Sequence, residues 1–183
     1  TLFAIILHPV WSQSAESSPF RAFYPDVKTI STGELADAFF EVTLIDVRSR
    51  FEFDVVNISS SVNLPLSNDQ FRNGIIKFHK LDVDIDMILI GSDSDCLRTF
   101  EAARIAQRQG IENVYVYDAG VQSWLYMYPE RTRLMGDSPA KIEDVLPLVK
   151  HQMQLVSYQN FSKAVENPAA LILDIRNIYD KRH

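Results

Sequence analysis

Cysteine is nearly absent: Cys96 alone stands among 183 residues. An internal disulfide is therefore excluded, and no Cys/His cluster has the spacing of a zinc site. Positive charge is also scarce. Lys and Arg number 18 against 24 Asp and Glu, and the net charge of −6 argues against nucleic acid or an anionic membrane as partner, since both reward a basic face. No apolar run approaches the roughly 20 residues that a bilayer span needs. The histidines His8, His79, His151 and His183 are scattered and form no visible triad with Ser and Asp. Asp82, Asp84 and Asp86 alternate before a strand, but Met87 stands where a calcium loop needs glycine and no Glu follows at the right spacing. They read as a solvated lead-in, and neither metal nor cofactor is expected.

What is present is an ordinary globular composition, 46% hydrophobic and 23% charged, on a chain long enough for one domain and part of another. Residues 1–15 hold no Asp, Glu, Lys or Arg, and the run Leu2-Phe3-Ala4-Ile5-Ile6-Leu7 is followed by the small residues Ser12, Ser14 and Ala15. This pattern suits a secretory signal peptide lacking its basic opening; a loose segment or an added strand is the alternative. The expectation is an exported protein, periplasmic or secreted, with the cytoplasm as the alternative.

Residues 16–28, punctuated at Pro19 and Pro25, read as a linker. Beyond them, strand-like and helix-like stretches alternate. Leu35, Ala38 and Phe39 share a helical face behind Thr32, a candidate N-cap. Residues 42–47 read as a buried strand, 51–56 as a helical turn, 61–65 as a brief strand and 68–80 as an amphipathic helix. Residues 87–91 form a second buried strand, and the polar loop 92–98 leads to a helix over 99–109, rich in alanine and stopped by Gly110. Residues 114–117 form another strand, and Ala119-Gly120 turns into a helix at Val121. The alternation predicts an α/β fold, a parallel sheet with helices on both faces. In such sheets ligands sit at the carboxyl ends of strands, where the loop 92–98 lies. Residues 129–153 read as a linker that includes a helix over 141–151, with Pro147 awkward inside it.

The chain also repeats itself. Ile30-Ser31, a helix and Leu44-Ile45-Asp46-Val47-Arg48 are echoed by Val156-Ser157, a helix and Ile172-Leu173-Asp174-Ile175-Arg176. Phe51-Glu52 and Tyr179-Asp180 sit at equivalent offsets. Residues 154–183 are thus expected to open a second copy of the same unit. Asp46 with Arg48, and Asp174 with Arg176, are expected to be structural ion pairs, and Trp124 and Phe51 to be core.

Taken in order, Leu44 to Arg48, Phe51-Glu52-Phe53, Ile58 and Val62-Asn63-Leu64-Pro65 resemble the opening motif of the rhodanese superfamily. Met87 to Ala103, Gly110, Asn113-Val114-Tyr115-Val116 and Ala119-Gly120 through Trp124 resemble its closing half. The resemblance covers residues 29–128. It implies a three-layer parallel α/β fold and, in active members, sulfur transfer from thiosulfate or a persulfide through one cysteine. Tandem members commonly pair an inactive first domain with an active second one.

The departures fall on the active loop. The family's loop opens with cysteine, has glycine in its middle and ends in Arg-Ser. Here the loop reads Ser92-Asp93-Ser94-Asp95-Cys96-Leu97-Arg98-Thr99. Anchored on Arg98-Thr99, Asp93 takes the cysteine position and Cys96 the glycine position; one more residue in the loop puts Ser92 there instead. Neither register supplies a thiolate, and a carboxylate cannot form a persulfide. Asp93 is expected either to fill the anion cradle and pair with Arg98, or to cap the helix or face water. Arg98 and Thr99 are the expected anion ligands. Cys96 is an off-register nucleophile or, more simply, a small buried residue.

The expected role is that of a non-catalytic domain with a structural, anion-binding or protein-interaction function, its partner a protein or a small sulfur anion. The alternative is the N-terminal half of a tandem sulfurtransferase whose active cysteine lies further along. A phosphatase-like use of the loop is disfavoured by the missing cysteine.

Overall fold

The computed structural model describes residues 18–66, 71–145, 153 and 155–173. In chain order the elements are β1 (Lys28–Thr29), α1 (Thr32–Asp37), β2 (Thr43–Asp46), α2 (Arg50–Val55), β3 (Val56–Ile58), β4 (Val62–Asn63) and α3 (Phe71–Leu81). They continue as β5 (Met87–Ile90), α4 (Leu97–Gln107), β6 (Val114–Tyr117), α5 (Gly120–Met127), β7 (Thr132–Leu134) and α6 (Tyr158–Val165). Five strands make one parallel sheet in the order β1-β6-β5-β2-β4, and β3 pairs antiparallel with β7.

Burial explains the layout. Every residue of central β5 is buried, which suits a parallel strand covered on both faces. Its register aligns Ile88 with Leu44 and with Tyr115. Side chains alternate across the sheet. Ile45, Met87, Leu89, Val114 and Val116 pack with Phe71 and Ile75 of α3 and Phe100, Ala103 and Ala106 of α4. On the opposite face Leu44, Ile88, Ile90 and Tyr117 pack with Leu35 of α1 and Val121 and Trp124 of α5. Each such large apolar side chain fully withdrawn from water contributes about 1.5–3 kcal/mol. The alanines of α4 lack bulk, so that helix can lie close to the sheet. Trp124 stacks on Phe39 with centroids 5.5 Å apart, and the Arg131 guanidinium lies 5.0 Å from the Phe39 ring while donating to the Ala36 carbonyl.

Both expected linkers contain ordered structure. Within 16–28, a short 3-10 turn at Pro19–Ala22 precedes β1, which pairs with β6. Phe20 and Tyr24 lay their rings on Phe100. The buried Asp118 carboxylate accepts from the Ser18 N–H at 2.9 Å and from Arg21 Nε at 2.6 Å. Within 129–153, β7 pairs with β3, Ile58 opposite Thr132. Its three residues sit among prolines and a glycine, and what makes them a strand is a partner far away in sequence. Of the helix expected over 141–151, the described residues show a 3-10 turn at Ile142–Asp144.

Smaller corrections concern helix starts. The cap of α1 is Ser31, in a reciprocal capping box with Glu34, rather than Thr32. The helix after the loop begins at Leu97, two residues before the expected start. Phe51 is 76% exposed on α2 instead of core, whereas Trp124 is fully buried as expected. Where a second copy is expected, α6 is present behind Ser157, whose hydroxyl oxygen accepts from the Asn160 N–H. Its Tyr158 and Val165 are exposed, as are Leu171, Ile172 and Leu173 further on. The expected signal peptide, Asp174 and Arg176 lie outside the described residues.

Candidate functional site

The site lies where β5 ends. Gly91 closes the strand, Ser92 to Cys96 form the loop, and α4 starts at Leu97. Two main-chain bonds from the start of α5 hold the loop: the Val121 N–H donates to the Gly91 carbonyl at 2.9 Å and the Gln122 N–H to the Ser92 carbonyl at 3.0 Å. Gly120 has φ +73°, and a Cβ there would fall 2.4 Å from the Asp93 nitrogen. Only glycine fits this left-handed position under the loop.

Asp93 is half-buried, and its bonds are local to the loop. Its Oδ1 accepts from the Asp95 N–H at 2.9 Å, and its carbonyl accepts from the Cys96 N–H at 3.3 Å. It therefore builds a turn inside the loop. The cap of α4 is Cys96, which makes no side-chain capping bond, so the helix starts with main-chain N–H groups lacking a side-chain acceptor from the cap.

The Cys96 thiol points inward. Cys96 is buried, and a Cβ added at Gly91 would meet its sulfur at 2.6 Å. The missing side chain at 91 is the space this sulfur occupies. Thr99 is buried as well, and its hydroxyl donates to the Cys96 carbonyl at 2.8 Å. Of the two expected anion ligands, Thr99 thus spends its donor within the loop.

Arg98 is tied to α2. Its NH2 lies 3.0 Å from Glu52 Oε1 and its NH1 3.3 Å from Oε2. Glu52 also accepts from the Ser49 N–H at 2.9 Å, closing a capping box at the start of α2. Burial alone would raise the Glu52 carboxyl, but the hydrogen bonds from Arg98 and Ser49 outweigh it and hold the group below its ordinary value. The Ser49-x-x-Glu52 spacing was a readable helix start, but Arg98, 46 residues on, carries no such signature.

Below the loop, Asp46 and Arg48 form the expected ion pair. Arg48 NH2 donates to Asp46 Oδ2 at 2.6 Å and to the Val56 carbonyl at 2.6 Å, with side-chain exposures of 3% and 0%. Burial raises the Asp46 carboxyl above its ordinary value, against the opposing pull of Arg48. Asn63 adds bonds to the carbonyls of Asp46 and Arg48. This pair pins β2 to β3 and β4, and no substrate need touch it. Among the described residues no cluster of His, Cys, Asp and Glu could hold a metal, and no helix is long and apolar enough to cross a membrane.

Comparison with known proteins agrees with this architecture. No curated protein matches the chain. Among solved structures, CoADR-RHD of Bacillus anthracis aligns at 26% identity and a TM-score of 0.50, over 61% of this chain and 19% of that one. A rhodanese-related protein of Thermoplasma volcanium aligns at 27% identity and 0.45, over 55% and 92%. A human single-domain sulfurtransferase aligns at 21% and 0.45, over 55% and 96%. The family model described as "Rhodanese-like domain" matches residues 31–126, over half of the chain, and spans four of the five strands of the parallel sheet and the loop at its carboxyl end. The chain belongs to the rhodanese-like family.

Proposed function

We propose that this rhodanese-like domain is a non-catalytic module that uses the loop after β5 to bind a small oxyanion or a partner protein. One observation carries the reading. The single thiol of the chain is turned down against Gly91, and the loop position that an active relative would fill with cysteine holds a carboxylate engaged with Asp95. Sulfur transfer needs a thiolate aimed at the substrate, and neither residue offers one. What the loop keeps is electrostatic: the start of α4 lacks a side-chain cap, and such a helix start favours negative charge.

The test is a thiosulfate-to-cyanide sulfurtransferase assay on the wild type, Cys96→Ser and Asp93→Cys. Wild type and Cys96→Ser should both stay at the uncatalysed background. Turnover by the wild type that vanishes in Cys96→Ser, or that survives in it, would overturn the reading. Binding of thiosulfate or sulfate, followed by calorimetry, should be weakened in Arg98→Met, which loosens the loop from α2.

A second reading is supported by residues 155–173. The order of cap, helix and apolar stretch repeats that of residues 30–45, and the residues that repeat Leu35, Phe39 and Leu44 are exposed: Phe161 46%, Val165 56% and Ile172 45%. In the first copy the matching face is covered by α5 and the sheet. On this reading the domain is the N-terminal half of a tandem sulfurtransferase with its working cysteine in the second half. A longer transcript encoding a Cys-x-x-Gly-x-Arg loop downstream would favour it. Export rests on the charge-free residues 1–15; recovery of the secreted chain beginning near residue 16 would support it, and an uncleaved cytoplasmic chain would refute it.

A further inference from the structure

We propose that a second site, separate from the loop, binds a flat anionic small molecule against the outer face of α4. A cleft of about 530 Å³ opens there between the N-terminal segment and the helix. Glu101, Arg104 and Ile105 of α4 and Arg108, its C-cap, line it, at the three- and four-residue spacing of one helix face. Phe23, Tyr24 and Leu66 form the other wall. The size falls within the range of small-molecule sites.

The wall is built, not incidental. Tyr24 is fixed by its ring contact with Phe100 at 5.5 Å and by the Arg104 guanidinium 5.7 Å above it. The whole segment is anchored through Ser18 and Arg21 to Asp118. Beside this rigid aromatic, Phe23 stays 74% exposed. An ordered segment that leaves a phenylalanine at the rim of a cleft offers a flat surface for stacking.

The charge balance selects the ligand's sign. Glu101 is engaged with a partner. Arg104 has an acidic neighbour, Asp26, only at 3.6 Å and mostly in water. Arg108 is exposed, and its side chain has no ion pair or hydrogen bond within the described residues. On a chain of net charge −6, the cleft therefore presents an uncompensated guanidinium next to an aromatic platform. That combination fits an aromatic carboxylate: the ring lies along Phe23 and Tyr24, and the carboxylate takes a fork of two N–H donors from Arg108.

Naphthoate is a suitable probe, titrated into the full chain and followed by amide chemical shifts. Saturable binding is expected, with shifts confined to Phe23, Tyr24 and the 101–108 face. Arg108→Glu should weaken it at least tenfold, or about 1.4 kcal/mol, and Phe23→Ser should weaken it as well. Both substitutions are at exposed positions, so unfolding curves should match the wild type. Neutral naphthamide should bind at least tenfold more weakly. Absence of saturation at about 1 mM, a level that defines weak binding, would overturn the proposal. So would equal binding of the amide, an Arg108→Glu variant that binds unchanged, or shifts centred on residues 92–98. The outcome is independent of the sulfurtransferase assay, because none of these residues belongs to the loop.

Discussion

Arg48 turns back on Asp46, two residues before it, and both charges are buried at the end of β2, the guanidinium also reaching the Val56 carbonyl. A pair this deep contributes through what happens when half of it is lost. Arg48→Met strands a carboxylate that has no exposure, which should cost about 3–5 kcal/mol. The exposed pair Arg50–Asp54, at 73% and 54% exposure, is the contrast. Arg50→Met should cost about 0.3–0.5 kcal/mol, typical of exposed helix pairs. Urea midpoints of the two variants measure both; similar midpoints would show that the buried pair does not hold β2 to β3.

The Glu52 carboxyl titrates below its ordinary value in the folded chain because Arg98 and Ser49 prefer its ionised form. A depressed carboxyl stabilises the fold above its unfolded value, near about pH 4.3. That contribution is lost as pH falls through the folded value. Glu52→Gln should therefore be less stable than wild type at neutral pH, and the gap should close on acidification below about pH 4. Denaturant unfolding across that range decides it: a gap that stays constant would mean the charge of Glu52 is immaterial.

The N-terminal segment before residue 31, where the family match begins, is predicted to be part of the folding unit. Removing residues 1–28 takes away the three donors of the buried Asp118 carboxylate and bares one side of Phe100. Leaving a carboxylate without its donors in this way should cost several kcal/mol, on the order of 3. Thermal unfolding should show it as a lower midpoint, partly restored by Asp118→Asn in the shortened chain. An unchanged midpoint would return the segment to the status of a linker.

The parallel sheet was legible because its strands are continuous apolar runs, Met87–Ile90 above all, and α4 because its alanines and Gly110 mark it. The Asp46–Arg48 pair was legible from its local spacing and its repetition. What escaped had its cause far off in sequence. Thr132–Leu134 is a strand only because Val56–Ile58 lies beside it, and Ser18 and Arg21 are tied to the domain by Asp118, about a hundred residues on. In the site, the thiol's direction was hidden because it depends on the empty volume over Gly91. The bond of Arg98 to Glu52 was hidden because a long guanidinium can choose among several acids. Phe51 was misjudged as core because hydrophobicity alone does not tell which side of a two-turn helix meets the sheet.

The bare α-carbon of Gly120 has one more implication. What presses upon it is the peptide spine at Ser92 and Asp93, not their side chains. The seat of the loop is therefore indifferent to which side chain residue 93 carries. Chemistry at that position can be exchanged while the platform beneath keeps its shape.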